Sequence, residues 1–366
     1  MKWKQQILGM EAYKPGKPIE EVQREFGLDE VIKLASNENP FGFSPKVKAF
    51  LAQDDSHHEI YPDGYAQNLR TVVANFVGVH EEQLIFGNGS DDLIAILTRA
   101  LLAPGRNTVM ATPSFSQYAH NAQIEGAEIR EVPLVDGNHD LDGMLAQIDD
   151  NTAIVWVCTP NNPTGGIVPA KALQAFLAKV PQDVLVVLDE AYYEYVDNEA
   201  HENTVPYLEQ YPNIIILRTF SKAYGLAGFR VGYGIAHADV IAQLDPVRAP
   251  FNNTVLSHKV AAIAMGDQQF IEECRQKNKA GRAQYIAFCE QHNLHYFESE
   301  TNFILFNVQA DSNVVFQELM KRGFIIRSGA ALGLPGYIRV TIGTEAQNAK
   351  FLEKLTEVLV AQGVFA

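Results

Sequence analysis

Five short runs of this chain are apolar at every position, and they restrict the fold more than any other feature. They are Leu84-Ile85-Phe86, Val109-Met110-Ala111, Ala153-Ile154-Val155-Trp156-Val157, Val184-Leu185-Val186-Val187-Leu188 and Ile214-Ile215-Ile216-Leu217. A strand can bury both of its faces only where helices cover the sheet on each side. Amphipathic stretches lie between the runs: Leu93, Ile96, Leu97, Ala100 and Leu101 make one helical stripe, and Ala170 to Val180 supplies another helix. The alternation predicts an α/β fold whose large domain holds a mostly parallel sheet between helices. Beyond about residue 260, helical patterns over 268–291 and 346–362 are joined by strands near Phe303-Ile304-Leu305-Phe306 and Tyr337-Ile338-Arg339-Val340-Thr341, which predicts a smaller α+β domain. The expected division is an N-terminal arm at 1–30, packed on the small domain or on a dimer partner, a large domain at 31–260 and a small one at 261–366. Lys14-Pro15-Gly16-Lys17-Pro18 reads as an extended or turning part of the arm.

Charge narrows the ligands. With 44 acidic against 29 basic residues the net charge is −15, which disfavours nucleic acid and anionic membranes as partners. An anionic ligand must therefore be gripped by a local cluster of arginine and lysine, and individual arginines become informative. Cys158, Cys274 and Cys289 lie far apart with no CxxC, so neither a disulfide framework nor a zinc site is expected. No HExxH occurs, and His57-His58 sits in a polar stretch, so no metal is expected. The N-terminal residues lack a secretory apolar stretch, and no run approaches the roughly 20 apolar residues of a membrane span. A cytoplasmic location is the expectation.

In open α/β sheets ligands bind beyond the carboxyl ends of the strands, so the residues following each apolar run matter most. After Phe86 comes Gly87-Asn88-Gly89-Ser90-Asp91-Asp92, glycines and a cap that offer free N–H groups to a phosphate or simply cap a helix. It is neither GxGxxG nor a Walker A loop, which disfavours a nucleotide enzyme. Thr159-Pro160-Asn161-Asn162-Pro163-Thr164-Gly165-Gly166 is a tight turn. Asp189-Glu190-Ala191-Tyr192 places a carboxylate at a buried strand end, where it needs a partner: a protonated pyridine nitrogen or a structural arginine. Thr219-Phe220-Ser221-Lys222, followed by Gly225, Gly228 and Arg230, puts a lysine where a strand emerges. That lysine is either exposed or a nucleophile whose pKa is lowered by burial and a neighbouring cation. Together these groups match the needs of pyridoxal phosphate: an amine, a carboxylate for the ring nitrogen, donors for the ring oxygen and a phosphate cradle.

Asn162-Pro163-Thr164-Gly165, Asp189-Glu190-Ala191-Tyr192 and Ser221-Lys222 with Gly228 and Arg230 resemble the fold type I, class II aminotransferases that depend on pyridoxal 5'-phosphate. The resemblance runs over nearly the whole chain. It implies that Lys222 is the Schiff-base lysine, that Asp189 pairs with the pyridinium and that Asn162 and Tyr192 contact the ring oxygen. By the same resemblance Gly89, Ser90, Asp91, Ser221 and Arg230 belong to the phosphate end, and Phe115 in Thr112-Pro113-Ser114-Phe115 stacks on the ring. It further implies a homodimer in which Tyr61, in Tyr61-Pro62-Asp63-Gly64, reaches the partner's cofactor phosphate.

A finer resemblance, carried by Tyr13-Lys14-Pro15-Gly16, Leu34-Ala35-Ser36-Asn37-Glu38-Asn39-Pro40, the Tyr61 segment, Arg327 and Arg339, is to the branch of that family acting on histidinol phosphate. It implies that Arg339 grips the substrate carboxylate and that Arg327 adds a second positive charge. Two arginines suit a phosphate dianion, or the dicarboxylates glutamate and 2-oxoglutarate. Tyr13 and Asn37 are expected to line the substrate pocket. The alternatives are an aromatic amino-acid aminotransferase, a threonine-phosphate decarboxylase and a non-catalytic sensor built on the same domain.

Overall fold

The structure is a computed structural model that describes residues 1–12 and 16–365. In chain order its strands are β1 (Ile32–Lys33), β2 (Leu84–Gly87), β3 (Asn107–Thr112), β4 (Glu128–Pro133), β5 (Thr152–Cys158), β6 (Leu185–Asp189), β7 (Ile214–Thr219), β8 (Gly232–Ala236), β9 (Phe303–Asn307), β10 (Phe324–Ile325), β11 (Arg327–Ser328) and β12 (Tyr337–Thr341). The apolar runs are β2, β3, β5, β6 and β7, and they share one seven-stranded sheet of order β2-β8-β7-β6-β5-β3-β4. Only β8 runs antiparallel to its neighbours in it.

Both faces of this sheet are covered. Val155, Val157, Val186, Leu188, Ile214 and Ile216 face one core, while Ile154, Trp156, Leu185, Val187, Ile215 and Leu217 face the other. At about 25 cal/mol per Å², two such layers supply most of the drive to fold, which is why alternation is absent from the runs. Within β8 the sequence Gly-Tyr-Gly-Ile-Ala is too glycine-rich to announce a strand. The glycines there are a matter of space. A Cβ on Gly232 would stand 2.8 Å from the Ser90 nitrogen, and one on Gly234 would stand 3.0 Å from Ile85.

Helix Ala170–Leu177 stops short of the expected Val180, which precedes Pro181 and so disfavours the helical region. The long C-terminal helices, Gln268–Gln291 and Glu345–Ala361, lie where the patterns placed them. They pack on a three-stranded sheet, β11-β12-β9, around Tyr285, Phe306, Ile338 and Phe351. Residues 19–35 join this C-terminal part, whereas Lys4 and Gln6 bond to Ile124 O on the helix Gln117–Glu125. Strand β1 pairs in parallel with β10, and Val22, Val31 and Ala35 pack against Met320 and Ile325. Residues on both sides of position 30 thus share one packing environment. No helix among the described residues is long and apolar enough to cross a membrane.

Candidate active site

The carboxyl ends of β2, β3, β5, β6 and β7 converge on a cavity of about 460 Å³ that the C-terminal sheet closes with Arg327 and Arg339. Of the sequence-predicted residues, Asn37, Ser90, Asp91, Phe115, Asn162, Asp189, Tyr192, Ser221, Lys222, Arg230, Arg327 and Arg339 all line it. Tyr61 does not. It is 79% exposed and stacks on Phe251 at 4.8 Å outside the cavity. Tyr13 lies outside the described residues.

One end of the cavity is built for an anion. Helix Ser90–Leu101 begins there without a side-chain cap on its first-turn N–H groups, and its cap residue, Gly89, has φ +79°. A Cβ on Gly89 would meet Arg230 Nη2 at 2.6 Å, so only glycine lets the guanidinium lie over the helix start. Arg230 Nη1 donates to Ser221 Oγ at 3.3 Å, and Nη2 lies 3.6 Å from Asp91 Oδ2. The Asn253 side chain donates to Gly87 O and Arg230 O, tying both rims together.

Lys222 follows β7 in a turn closed by the bond from Gly225 N to Lys222 O at 2.9 Å. Gly225 has φ +71°, and a Cβ there would stand 1.9 Å from Gly42 O, so backbone meets backbone at this point. Gly225→Ala is therefore expected to cost about 3 kcal/mol or more of stability. The shift in the urea unfolding midpoint measures it, and an unchanged midpoint would refute this role for the contact. The turn aims Lys222 Nζ at Ser36 O, 3.3 Å away, and at the Tyr192 ring, 5.7 Å away. Burial first, then the nearby Arg339 charge, push the amine down to about 8.

Asp189 ends β6 on the same face as Trp156. Its Oδ2 accepts from Tyr118 Oη at 2.6 Å and its Oδ1 from Ala191 N at 3.2 Å. Burial raises its carboxyl to about 6 against those bonds. The next residue, Glu190, points to the opposite face and holds the buried Arg218 at 2.9 Å, so neighbouring carboxylates serve separate purposes. Tyr192 Oη accepts from Asn37 Nδ2 at 2.8 Å, and burial keeps the phenol protonated.

Arg339 donates to Asn162 Oδ1 and, at 2.9 Å, to Ala35 O. Across the β11–β12 ladder Arg327 stands directly opposite Arg339. Like charges in such a pair repel, an arrangement that an anion between them would relieve. Asn37 is 2% exposed, and its bonds to Tyr192, Thr341 and Asn302 hold it as a strut of the wall.

Sequence reasoning missed three contributors. Thr219 lines the anion end and accepts from Ser221 N at 3.2 Å. The carbonyls of Ala35 and Ser36 receive Arg339 and Lys222, and backbone groups carry no sequence signal. Tyr118 reaches Asp189, and its position three residues after Phe115, in the first turn of helix Gln117–Glu125, was the only clue.

A family model for class I and II aminotransferases matches residues 29–355. A histidinol-phosphate aminotransferase of Lysinibacillus sphaericus is 69% identical over 366 residues, the full length of both chains. Another of that name, from Geobacillus thermodenitrificans, is 55% identical over 98% of each chain. Among solved structures, the histidinol-phosphate aminotransferase of Sinorhizobium meliloti in complex with pyridoxal-5'-phosphate superposes with a TM-score of 0.89 at 27% identity, covering 98% of each chain.

Proposed function

The chain belongs to the aminotransferases of class I and II, and from that premise we propose that it transfers the amino group of L-histidinol phosphate reversibly to 2-oxoglutarate. The products are imidazole-acetol phosphate and glutamate, which makes this a step of histidine biosynthesis. Within the chain, the observation that carries the substrate reading is the cross-strand pairing of Arg327 with Arg339 at the cavity wall.

The residues fit pyridoxal 5'-phosphate. The space bounded by the Ser90 helix start, Thr219, Ser221 and Arg230 suits a phosphate dianion. Phe115 offers a ring face, Asp189 a carboxylate for a ring nitrogen, and Lys222 an amine. When bound, the cofactor supplies a carbonyl that takes up amines and a ring that accepts the electron pair released at the substrate Cα.

Lys222 has two tasks. With the cofactor bound, its amine, poised near 8, would form the covalent link that holds the group between turnovers and, when free, would take up and hand on the proton of the substrate Cα. Asp189 keeps the proton on the ring nitrogen. Asn162 and Tyr192 would hold the ring oxygen, and Arg339 keeps Asn162 in place through Oδ1. Arg327 and Arg339 bind the phosphate of one substrate and a carboxylate of the other, so a single pair of cations serves both halves of the cycle.

Arg327→Ala is expected to lower kcat/KM for histidinol phosphate about 100-fold, the worth of one charge-assisted contact, and to change that for phenylalanine less than about threefold. A donor panel of histidinol phosphate, phenylalanine, tyrosine and aspartate measures the difference. Equal losses would remove Arg327 from phosphate recognition and favour an aromatic donor. A homodimer belongs to the same proposal. Ile60, Tyr61, Tyr65 and Phe251 form an exposed apolar patch beside the anion end, from which Tyr61 could reach a partner's site. A cytoplasmic location completes the proposal.

A further inference from the structure

Tyr118 is given no part in holding the cofactor or the substrate above, yet its hydroxyl makes the shorter of the two hydrogen bonds described for Asp189. The hydroxyl donates to Oδ2 at 2.6 Å, within the range of charge-assisted O–H···O⁻ bonds. The ring is clamped: it stacks on Trp156 at 4.5 Å with 12° between planes and meets Phe115 edge-on at 5.6 Å. Trp156 is itself fixed, since Nε1 donates to Thr108 Oγ1 at 2.8 Å and that hydroxyl donates to Ile154 O at 2.9 Å. The chain Thr108–Trp156–Tyr118–Asp189 thus ties three strands and a helix to one carboxylate oxygen.

We propose that Tyr118 is a positioning residue whose hydroxyl decides where the proton shared by Asp189 and the cofactor's ring nitrogen resides. This rests on the cofactor reading above. A carboxylate and a pyridine nitrogen in contact share one proton, and it stays on nitrogen only if the carboxylate is the weaker base. Burial makes Asp189 a stronger base, with Glu190, Asp91 and the Cys158 thiol near it and no cation bonded to it among the described residues. The Tyr118 bond works the other way, by stabilising the anion. The Ala191 N–H, at 3.2 Å, is the weaker donor. Remove the hydroxyl and the proton moves from nitrogen to Asp189 oxygen; the ring, then neutral, accepts electrons less well. A tyrosine that merely fills space would have no such effect.

The experiment compares wild-type and Tyr118→Phe holoenzymes reconstituted with pyridoxal phosphate labelled with ¹⁵N in the ring. Phenylalanine keeps the stack on Trp156 and removes only the hydroxyl. The wild-type ring signal is expected in the protonated range, and Tyr118→Phe moves it toward the unprotonated range. With it, kcat falls about tenfold while KM for both substrates stays within about twofold. A difluorotyrosine at position 118, a stronger donor of nearly the same size, moves the signal the opposite way. An unmoved ring signal in both variants overturns the proposal, even if the melting temperature falls. A wild-type protein whose bound label is unprotonated sinks the Asp189 reading beneath it instead.

Discussion

Lys222→Ala lowers turnover by at least about 10⁴-fold, the loss expected when the covalent anchor and the proton carrier vanish together. The same substitution raises the melting temperature of the cofactor-stripped protein at pH 7. The two effects have one source. The folded pKa, about 8, lies below the ordinary lysine value of 10.5, so the folded chain binds the proton less well than the unfolded chain does. That cost to stability is fully present below pH 8 and disappears as the pH rises past 10.5. Alanine removes it. Turnover within tenfold of wild type would take Lys222 out of the chemistry, and a lower melting temperature would show that the amine is not strained. Reduction with borohydride, followed by peptide mapping, gives an independent check, because the label must appear on Lys222.

Asp189→Asn comes second in expected effect. The substitution keeps the shape and an acceptor for Tyr118 but removes the charge that the proposal sets against the ring nitrogen. We expect kcat to fall roughly 10²–10³-fold, the usual loss for one preorganised electrostatic partner. Here too, stability moves against activity. The carboxyl is raised from 3.8 to about 6 by burial, so its ionised form costs stability; this cost is absent below pH 3.8 and fully present above pH 6. The cofactor-stripped asparagine variant should therefore be more stable than wild type at pH 8 and equal to it near pH 4. Matched denaturation curves at the two pH values decide the point. Equal differences at both would mean that Asp189 is held by its hydrogen bonds and not strained by burial. An amine and a carboxyl each displaced toward the neutral form are a cost that the chain carries for function.

The layered fold was legible because burial on two faces leaves an unmistakable apolar run, and strands β5, β6 and β7 coincide with such runs to within a residue or two. The side chains at their ends could be read for the same reason. Asp189 and Lys222 interrupt apolar sequence, and a buried charge must have a use or a partner. Legibility stopped where the determinant was not a side-chain type. Strand β8 is set by the room that Gly232 and Gly234 leave for their neighbours, and β1 exists because a two-residue segment finds β10 far along the chain. Tyr118 read as one aromatic among many until Trp156 and Asp189 were seen on either side of it. The exposed position of Tyr61 likewise cannot be anticipated from Tyr-Pro-Asp-Gly alone.

The pairing of β1 with β10 also bears on the order in which the enzyme comes into being. Ile32 N bonds to Gly323 O and Leu34 N to Ile325 O, and the two residues after Leu34 supply the carbonyls that receive Arg339 and Lys222. These partners are about 290 residues apart, a separation that a ribosome covers in roughly 15–60 s at its usual pace. The seven-stranded sheet has all of its strands in hand well before then. The wall facing Lys222 does not, because its anchor, β10, follows every strand of that sheet in the chain. A nascent chain can thus complete its main sheet without yet having a finished binding site, and the lysine receives its full surroundings only when residues 32–36 meet a segment made about 290 residues later.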